Sequence, residues 1–200
     1  MISIVIPIYN EQETLPMLFE RLVAAAPSWE EEWEVVLVDD GSTDRSLEMM
    51  TEFTQRSNHF RVVKLSRNFG HQPAISAGIE RARGDAVVIM DGDLQDPPEE
   101  LYRFLDKWRE GYQVVYAIRR KRKENLFKRA AYKIFYRLMG LISDISIPLD
   151  SGDFCLMDRK VVDAMVHQLP ERIRFVRGLR AYVGFKQIGV DFPPDSIVII

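Results

Sequence analysis

Apolar runs rich in isoleucine and valine recur along the first part of the chain, separated by amphipathic stretches. Residues 2–8 (Ile-Ser-Ile-Val-Ile-Pro-Ile) carry no charge. Further apolar runs, three of which include one or two charged residues, lie at residues 34–38, 61–65, 85–90 and 112–118. Short continuous runs of β-branched residues predict strands that are buried on both faces. The stretches between them predict helices, because their apolar residues recur at helical spacing. These helices are expected at residues 12–26, 43–56, 72–83 and 98–110. The alternation predicts an α/β fold with a mostly parallel sheet and helices on both faces.

Polar side chains follow four of the predicted strands, at the point where each strand ends. In chain order they are Tyr9-Asn10-Glu11, Asp39-Asp40, Asp91-Gly92-Asp93 and Arg119-Arg120. In open α/β sheets, ligands bind in the crevice outside the carboxyl ends of the strands. The sequence therefore predicts a binding site at this edge of the sheet.

The segment Asp91-Gly92-Asp93 is a candidate metal site. In extended backbone the two carboxylates would point to the same side, and Gly92 would leave room for a ligand to approach closely. Converging carboxylates without histidine or cysteine suit a hard divalent cation such as Mg²⁺ or Mn²⁺. Gln95 follows at the same alternation and could add an amide oxygen. The alternative is that Asp-Gly-Asp forms only a turn.

The acidic pair Asp39-Asp40 precedes Gly41, in a context that also forms Asx turns. Such a turn does not require two adjacent acids at a strand end, where one carboxylate could bind a ribose hydroxyl or a base N–H. The chain has no Gly-x-Gly-x-x-Gly segment after its first strand and no Gly-Lys-Ser/Thr loop. Both absences argue against dinucleotide binding and against nucleotide triphosphate hydrolysis.

The charge of the chain is small overall and unevenly distributed. The formal net charge is −3, but residues 1–118 hold 11 Lys/Arg against 21 Asp/Glu. Residues 119–137 hold nine basic residues against one acid, and residues 171–187 hold five against one. An acidic body with two basic segments points to a polyanionic partner, either membrane headgroups or nucleic acid.

The cellular setting is inferred from what the sequence lacks. The single cysteine, Cys155, excludes an intrachain disulfide framework and a cysteine-rich zinc site. No apolar run approaches the roughly 18 residues of a transmembrane helix, and the N-terminus has no basic leader or cleavage site. We therefore expect a protein of the reducing cytoplasm.

Five motifs follow one another in an order typical of one enzyme family. They are residues 4–11 (Ile-Val-Ile-Pro-Ile-Tyr-Asn-Glu), 38–44 (Val-Asp-Asp-Gly-Ser-Thr-Asp), 68–70 (Asn-Phe-Gly), 90–98 (Met-Asp-Gly-Asp-Leu-Gln-Asp-Pro-Pro) and 151–154 (Ser-Gly-Asp-Phe). The chain resembles the inverting family-two glycosyltransferases over about residues 2–190. It is most similar to the polyprenyl- and dolichyl-phosphate hexosyltransferases, which include dolichol-phosphate mannose synthases and undecaprenyl-phosphate glucosyltransferases. The resemblance implies a GT-A catalytic domain over residues 1–190 and a nucleotide-sugar donor.

The same resemblance implies roles for particular residues. Those that match nucleotide-sugar-binding positions are Pro7, Tyr9, Glu11, Asp39, Asp91 and Arg119. Those that match the metal motif Asp-x-Asp-x-Gln, which implies Mg²⁺ or Mn²⁺, are Asp91, Asp93 and Gln95. Asp153 matches the carboxylate often proposed as the catalytic base. A lipid phosphate has a second pKa of about 6 and is already nucleophilic at neutral pH, so Asp153 would then orient the acceptor or the sugar. A sugar hydroxyl would need Asp153 as a base.

The basic segment contains a predicted amphipathic helix at about residues 124–143. Large apolar residues occupy one face and basic residues lie off it, a pattern that suits a membrane interface. A helix packed on the core with a solvated cationic side is the alternative. Nucleic-acid binding is not expected, because no recognition motif accompanies the basic run.

Residues 191–200 depart from the family pattern. Similar proteins continue into a Gly-x-Ser-Lys motif and often two transmembrane helices, neither of which is found here. The predicted function is hexosyl transfer from a UDP- or GDP-linked sugar to polyprenyl phosphate, by a peripheral protein at the cytoplasmic face of the membrane. Two alternatives stay open: a saccharide acceptor in cell-surface polysaccharide synthesis, and a truncated, non-catalytic nucleotide-binding protein. A homo-oligomer also stays open.

Overall fold

The structure is a computed structural model that describes residues 1–118, 151–169 and 175–191. Three sequence predictions lie outside these residues: the basic helix at about residues 124–143, Arg119, and residues 192–200 of the divergent tail. Within the described ranges, no helix is both long enough and apolar enough to cross a membrane.

Seven strands of the described chain form one sheet. They are β1 (Ile2–Ile8), β2 (Trp33–Asp39), β3 (Phe60–Lys64), β4 (Ala86–Ile89), β5 (Val114–Ile118), β6 (Ser151–Asp158) and β7 (Gln187–Asp191). Their order across the sheet is β3-β2-β1-β4-β6-β5-β7. β6 runs antiparallel to both of its neighbours, and the other neighbouring pairs are parallel. The predicted α/β fold with a mostly parallel sheet is confirmed.

Helices cover both faces of this sheet. They are α1 (Leu15–Ala25), α2 (Ser46–Arg56), α3 (His71–Arg81), α4 (Leu101–Arg109), α5 (Arg159–Asp163) and α6 (Val176–Tyr182). α1, α2 and α4 contribute to one apolar cluster, and α3, α5 and α6 contribute to the other. The two clusters meet opposite faces of each strand: in β1, Ile4 and Ile6 belong to the first and Val5 to the second. This two-sided burial explains why the strands read as continuous apolar runs.

Three helices begin later than their sequence patterns predict. α4 begins at Leu101 because Pro98–Glu100 form a 3₁₀ turn. α1 begins at Leu15 because residues 11–14 form a turn closed by a hydrogen bond from the Thr14 N–H to the Glu11 carbonyl. α2 begins at Ser46, where the backbone N–H donates to the Asp44 carboxylate at 2.9 Å. In α1 and α2, the residues that were predicted to be helical but precede the helix form loops that border the carboxyl edge of the sheet.

β6 is not among the strands predicted from the sequence, and it decides which residues reach the edge. It pairs with β4 in a register that places Cys155 opposite Ile89. Because β6 is antiparallel, its N-terminal end lies beside the carboxyl end of β4. Two residues beyond that pair lie Asp91, just after β4, and Asp153 of β6, so the antiparallel pairing places both residues at the same edge of the sheet.

Candidate active site

A cavity of about 370 Å³ opens at the carboxyl edge of the sheet, above β2, β1 and β4. Four segments line it: the ends of these three strands and the stretch from Asn68 through the N-terminal turn of α3. The lining residues are Pro7, Ile8, Tyr9, Glu11, Asp40, Asn68, Gly70, His71, Ala74, Asp91, Gly92 and Asp93. The predicted location of the site and five of its predicted residues therefore coincide with this cavity.

The loop after β1 carries Tyr9 and Glu11 into the cavity. Asn10 between them adopts a left-handed conformation with φ of 56°. The Asn10 N–H donates to the Ser42 hydroxyl, and the Glu11 N–H donates to the Ser46 hydroxyl. These bonds tie the loop after β1 to the loop after β2, and Tyr9 keeps 46% of its surface exposed. Its ring is thus available to a ligand.

The two adjacent acids at the end of β2 have different surroundings. Successive strand residues face opposite sides, so Asp39 shares the α1 and α2 side with Leu37, whereas Asp40 faces α3. Asp39 is fully buried and does not line the cavity; its Oδ1 accepts the Ser42 N–H at 3.0 Å. Its Oδ2 is buried and has no hydrogen-bond partner among the described residues. Asp40, to which the family resemblance gave no role, is the acid that reaches the cavity.

Asp40 also fixes the wall of the cavity formed by residues 65–70. Its two carboxylate oxygens accept the N–H groups of Phe69 and Gly70 at 2.7 and 2.9 Å. The backbone of Gly41 lies against the same loop, near Arg67. Each of these contacts joins residues that are far apart in sequence, so the sequence pattern contains no signal for this wall.

Asp91 and Asp93 both line the cavity, but not for the reason given by strand alternation. β4 ends at Ile89, and residues 92–94 form a turn in which Leu94 has a positive φ of 65°. The buried carboxylate of Asp96 accepts the Asp91 N–H at 3.1 Å and so holds the turn. Gln95 is exposed and does not line the cavity. The extended-strand geometry predicted for this segment is therefore wrong.

His71, the first residue of α3, contacts one of these carboxylates. Its Nε2 lies 3.0 Å from the Asp91 Oδ1. This hydrogen bond raises the pKa of His71 above its ordinary value, against the opposing effect of burial, and the charges of Asp153 and Asp40 act in the same direction. The Asp153 carboxylate of β6 thus contributes to the negative potential around His71.

Asp153 itself is held by a cation. Arg177 of α6 donates from Nη2 to the Asp153 Oδ1 at 3.1 Å, and the side chains are 32% and 22% exposed respectively. Arg177 lies in the second basic segment, where the sequence indicated an anionic partner without singling out a residue. Neither residue lines the cavity as defined above; they flank it on the β6 side.

The residues present fit a hard divalent cation. Asp91 and Asp93 supply carboxylate oxygens to one cavity, and residues 1–118, 151–169 and 175–191 contain no cluster of three or more His, Cys, Asp or Glu side chains arranged to hold a metal. Mg²⁺ is typically bound by one or two carboxylates, with water and substrate phosphates completing its octahedron. Two carboxylates in an open cavity match that pattern, whereas Gln95 as a third ligand stays a prediction.

The mostly parallel sheet, with an acid-lined cavity at its carboxyl edge, has the α/β fold of the GT-A class, a fold shared with the glycosyltransferases whose structures resemble this one. The family model for glycosyl transferase family 2 matches residues 3–166. The chain belongs to glycosyltransferase family 2.

Curated relatives and a solved structure agree with this assignment. The chain is 48% identical to the uncharacterized glycosyltransferase YkcC of Bacillus subtilis, over 97% of this chain and 60% of the relative. It is 40% identical to the undecaprenyl-phosphate 4-deoxy-4-formamido-L-arabinose transferase of Pectobacterium carotovorum, over 95% of this chain and 58% of that protein. The chain thus spans about 60% of the length of these relatives.

The structural comparison bears on the fold. The mannosyltransferase PcManGT of Pyrobaculum calidifontis, solved in complex with GDP-Man and Mn²⁺, superposes with a TM-score of 0.63 at 19% identity. The match covers 98% of this chain and 55% of PcManGT.

Proposed function

We propose that this chain transfers a hexosyl group from a UDP- or GDP-linked sugar to polyprenyl phosphate, as a peripheral protein at the cytoplasmic face of the membrane. The observation that carries the donor half is the cavity itself, which brings an exposed aromatic ring, Asp40 and the Asp91–Asp93 pair to one edge of the sheet. The acceptor half is supported by the Pectobacterium relative, whose name specifies undecaprenyl phosphate.

The nucleoside of the donor binds at the β1 and β2 end of the cavity in this proposal. Pro7, Tyr9 and Glu11 form the lining there, with Asp40 opposite. Asp39 was predicted to hold the nucleoside, and its unpartnered Oδ2 is an acceptor for a base N–H such as the imide of uracil. Because Asp39 lies outside the cavity lining, we assign the closer contact to Asp40.

The diphosphate of the donor binds at the β4 end. Asp91 and Asp93 would repel two negatively charged phosphates, and a divalent cation held by these carboxylates would offset the repulsion. When bound, Mg²⁺ or Mn²⁺ would also offset the charge that develops on the nucleoside diphosphate as it leaves. Gln95 and Arg119 are proposed to contact the metal and the phosphates respectively.

The reaction needs little acid–base chemistry from the protein if the acceptor is a phosphate. An acceptor oxygen attacks the anomeric carbon, the bond from that carbon to the diphosphate oxygen breaks, and the nucleoside diphosphate leaves with the electron pair. A phosphomonoester dianion has no proton to lose at the attacking oxygen. Asp153, already engaged by Arg177, then orients the reacting groups instead of removing a proton.

The donor site is tested by calorimetric titration with UDP and with GDP, each with and without Mn²⁺. We expect one nucleotide to bind with a strong metal dependence, and Asp93→Ala to abolish that dependence. Asp106→Ala is the matched control, because it removes an exposed carboxylate on α4 that does not line the cavity and pairs with Arg109. Equal nucleotide binding by wild type and Asp93→Ala would contradict the proposed metal site.

The acceptor is tested by turnover. Wild type is supplied with the nucleotide sugar and with either polyprenyl phosphate in anionic vesicles or a soluble saccharide. Transfer to the lipid phosphate is expected. Transfer to the saccharide alone would identify the polysaccharide alternative, and nucleotide binding without transfer to either acceptor would identify a non-catalytic protein.

A further inference from the structure

We propose that Arg177 of α6 binds the phosphate group of the acceptor, and that Asp153 is the counter-charge that holds its guanidinium in place before the acceptor arrives. The inference rests on the proposed function in one respect: the acceptor is a phosphomonoester.

The fold places Arg177 at the cavity end of its helix. The Val176 N–H donates to the Gln72 side chain of α3 at 3.0 Å, and the buried Val176 packs in the cluster formed by α3, α5 and α6. One helical turn after Arg177, the buried Arg180 places its guanidinium carbon 5.4 Å from the centroid of the Tyr116 ring. α6 therefore packs against α3, with Arg177 at Asp153 of β6.

The order of strands supports an acceptor site at this position. The acids that face the edge come from β2 (Asp40), β4 (Asp91) and β6 (Asp153), with Tyr9 of β1 between the first two. β2 and β6 are three strand spacings apart, roughly 14 Å. A donor with its nucleoside over β2 and β1 and its diphosphate over β4 points its sugar towards β6. The acceptor must then approach from the β6 side, where Arg177 lies.

The charges at this corner explain why a cation is needed. Asp91 and Asp153 would both repel a phosphate dianion, and Arg177 offers a guanidinium with five N–H donors. Its Nη2 donates to Asp153, its Nε is buried without a partner among the described residues, and about one third of the side chain is exposed. Arginine also matches the planar, bidentate geometry of phosphate oxygens.

Two other roles for Arg177 make different predictions. If the Arg177–Asp153 pair only stabilises the fold, removal of either partner weakens acceptor binding in the same direction. If Arg177 holds the donor diphosphate instead, its removal weakens nucleotide binding. Under our proposal, Arg177→Ala and Asp153→Asn have opposite effects on phosphate binding. The first removes the guanidinium that binds the phosphate, and the second frees that guanidinium from its ion pair.

The experiment measures binding, so it does not depend on turnover. Farnesyl phosphate and inorganic phosphate are titrated calorimetrically into wild type, Arg177→Ala, Arg177→Lys, Asp153→Asn and the control Arg56→Ala, which loses an equal charge from an exposed ion pair on α2. We expect Arg177→Ala to weaken farnesyl phosphate binding about 10- to 100-fold, with partial rescue by lysine. We expect Asp153→Asn to bind about fivefold more tightly at low salt. Nucleotide affinity should not change in any of these variants.

Several outcomes would overturn the proposal. They are an unchanged affinity for farnesyl phosphate in Arg177→Ala, weaker farnesyl phosphate binding in Asp153→Asn, or a loss of nucleotide binding in Arg177→Ala. Binding of inorganic phosphate as tight as that of farnesyl phosphate would show that the site takes a free phosphate and not a lipid headgroup. Farnesyl phosphate binding by wild type without any change in Arg177→Ala refutes this inference alone. Nucleotide binding by wild type without any farnesyl phosphate binding refutes the proposed acceptor, and the inference with it.

Discussion

The backbone of Gly41 lies against the loop that forms one wall of the cavity, and this contact allows a quantitative test. Gly41 has a φ of +73°, and a Cβ at this position would lie 2.5 Å from the Arg67 carbonyl carbon and 2.6 Å from the Asn68 nitrogen. Alanine at positive φ costs about 1 kcal/mol. Because the close atoms are backbone, the loop must move by about 1 Å, and overpacking of this kind costs about 1–3 kcal/mol more. We therefore expect Gly41→Ala to lower the free energy of unfolding by about 2–4 kcal/mol.

Gly184→Ala is the matched control for this substitution. Gly184 has the same φ of +73°, but nothing lies within 4 Å of its added Cβ. Gly184→Ala should lower the free energy of unfolding only by the cost of alanine at positive φ, about 1 kcal/mol. Both variants are compared with wild type by urea unfolding and by nucleotide calorimetry. Nucleotide affinity should fall in Gly41→Ala but not in Gly184→Ala, because the loop that Gly41→Ala displaces contains Asn68, which lines the cavity. Equal destabilisation by the two variants would refute the close packing of this loop.

Two further predictions concern buried carboxylates. Burial raises the pKa of Glu34, but hydrogen bonds from Ser3 and Arg61, and from the backbone N–H of Arg83, outweigh it and hold the pKa below its ordinary value. Glu34 thus stabilises the fold at neutral pH, and this contribution is lost as pH falls through the lowered pKa. The difference in free energy of unfolding between wild type and Glu34→Gln, measured in urea, should therefore shrink on acidification. A difference that grows would contradict the lowered pKa of Glu34. Asp40→Asn leaves one of the two loop N–H groups without its acceptor, which should lower the free energy of unfolding by about 1 kcal/mol in thermal unfolding. The same substitution should weaken nucleotide binding in calorimetry. An unchanged nucleotide affinity would argue against Asp40 as a residue that holds the cavity wall.

The strands were the most predictable part of the fold. Runs such as residues 2–8 are continuous and apolar because the sheet is covered on both faces, and the structure buries all seven residues of β1. β6 was not predicted, because its sequence mixes apolar residues with Asp153 and Asp158 and lacks a continuous run. Its place between β4 and β5 follows from long-range pairing, which a local pattern does not contain.

The candidate site was predictable in its location and less so in its residues. The polar segments at strand ends identified the edge, and Tyr9, Asp91 and Asp93 do line the cavity. Resemblance selected Asp39, whereas strand alternation turns Asp40 to the cavity. Asp91 and Asp93 line the cavity from a turn held by Asp96, not from extended backbone.

What the sequence determined by itself was the alternation of buried strands and amphipathic helices, the acidic character of one sheet edge and the motifs of glycosyltransferase family 2. These are local properties, set by side-chain polarity and spacing. Only the tertiary structure decided that Asp40 clamps the loop at residues 65–70, that His71 contacts Asp91 and that Arg177 engages Asp153. Each of these contacts joins residues 20 or more positions apart, so its geometry depends on strand order and helix packing, which form only when the whole chain has folded.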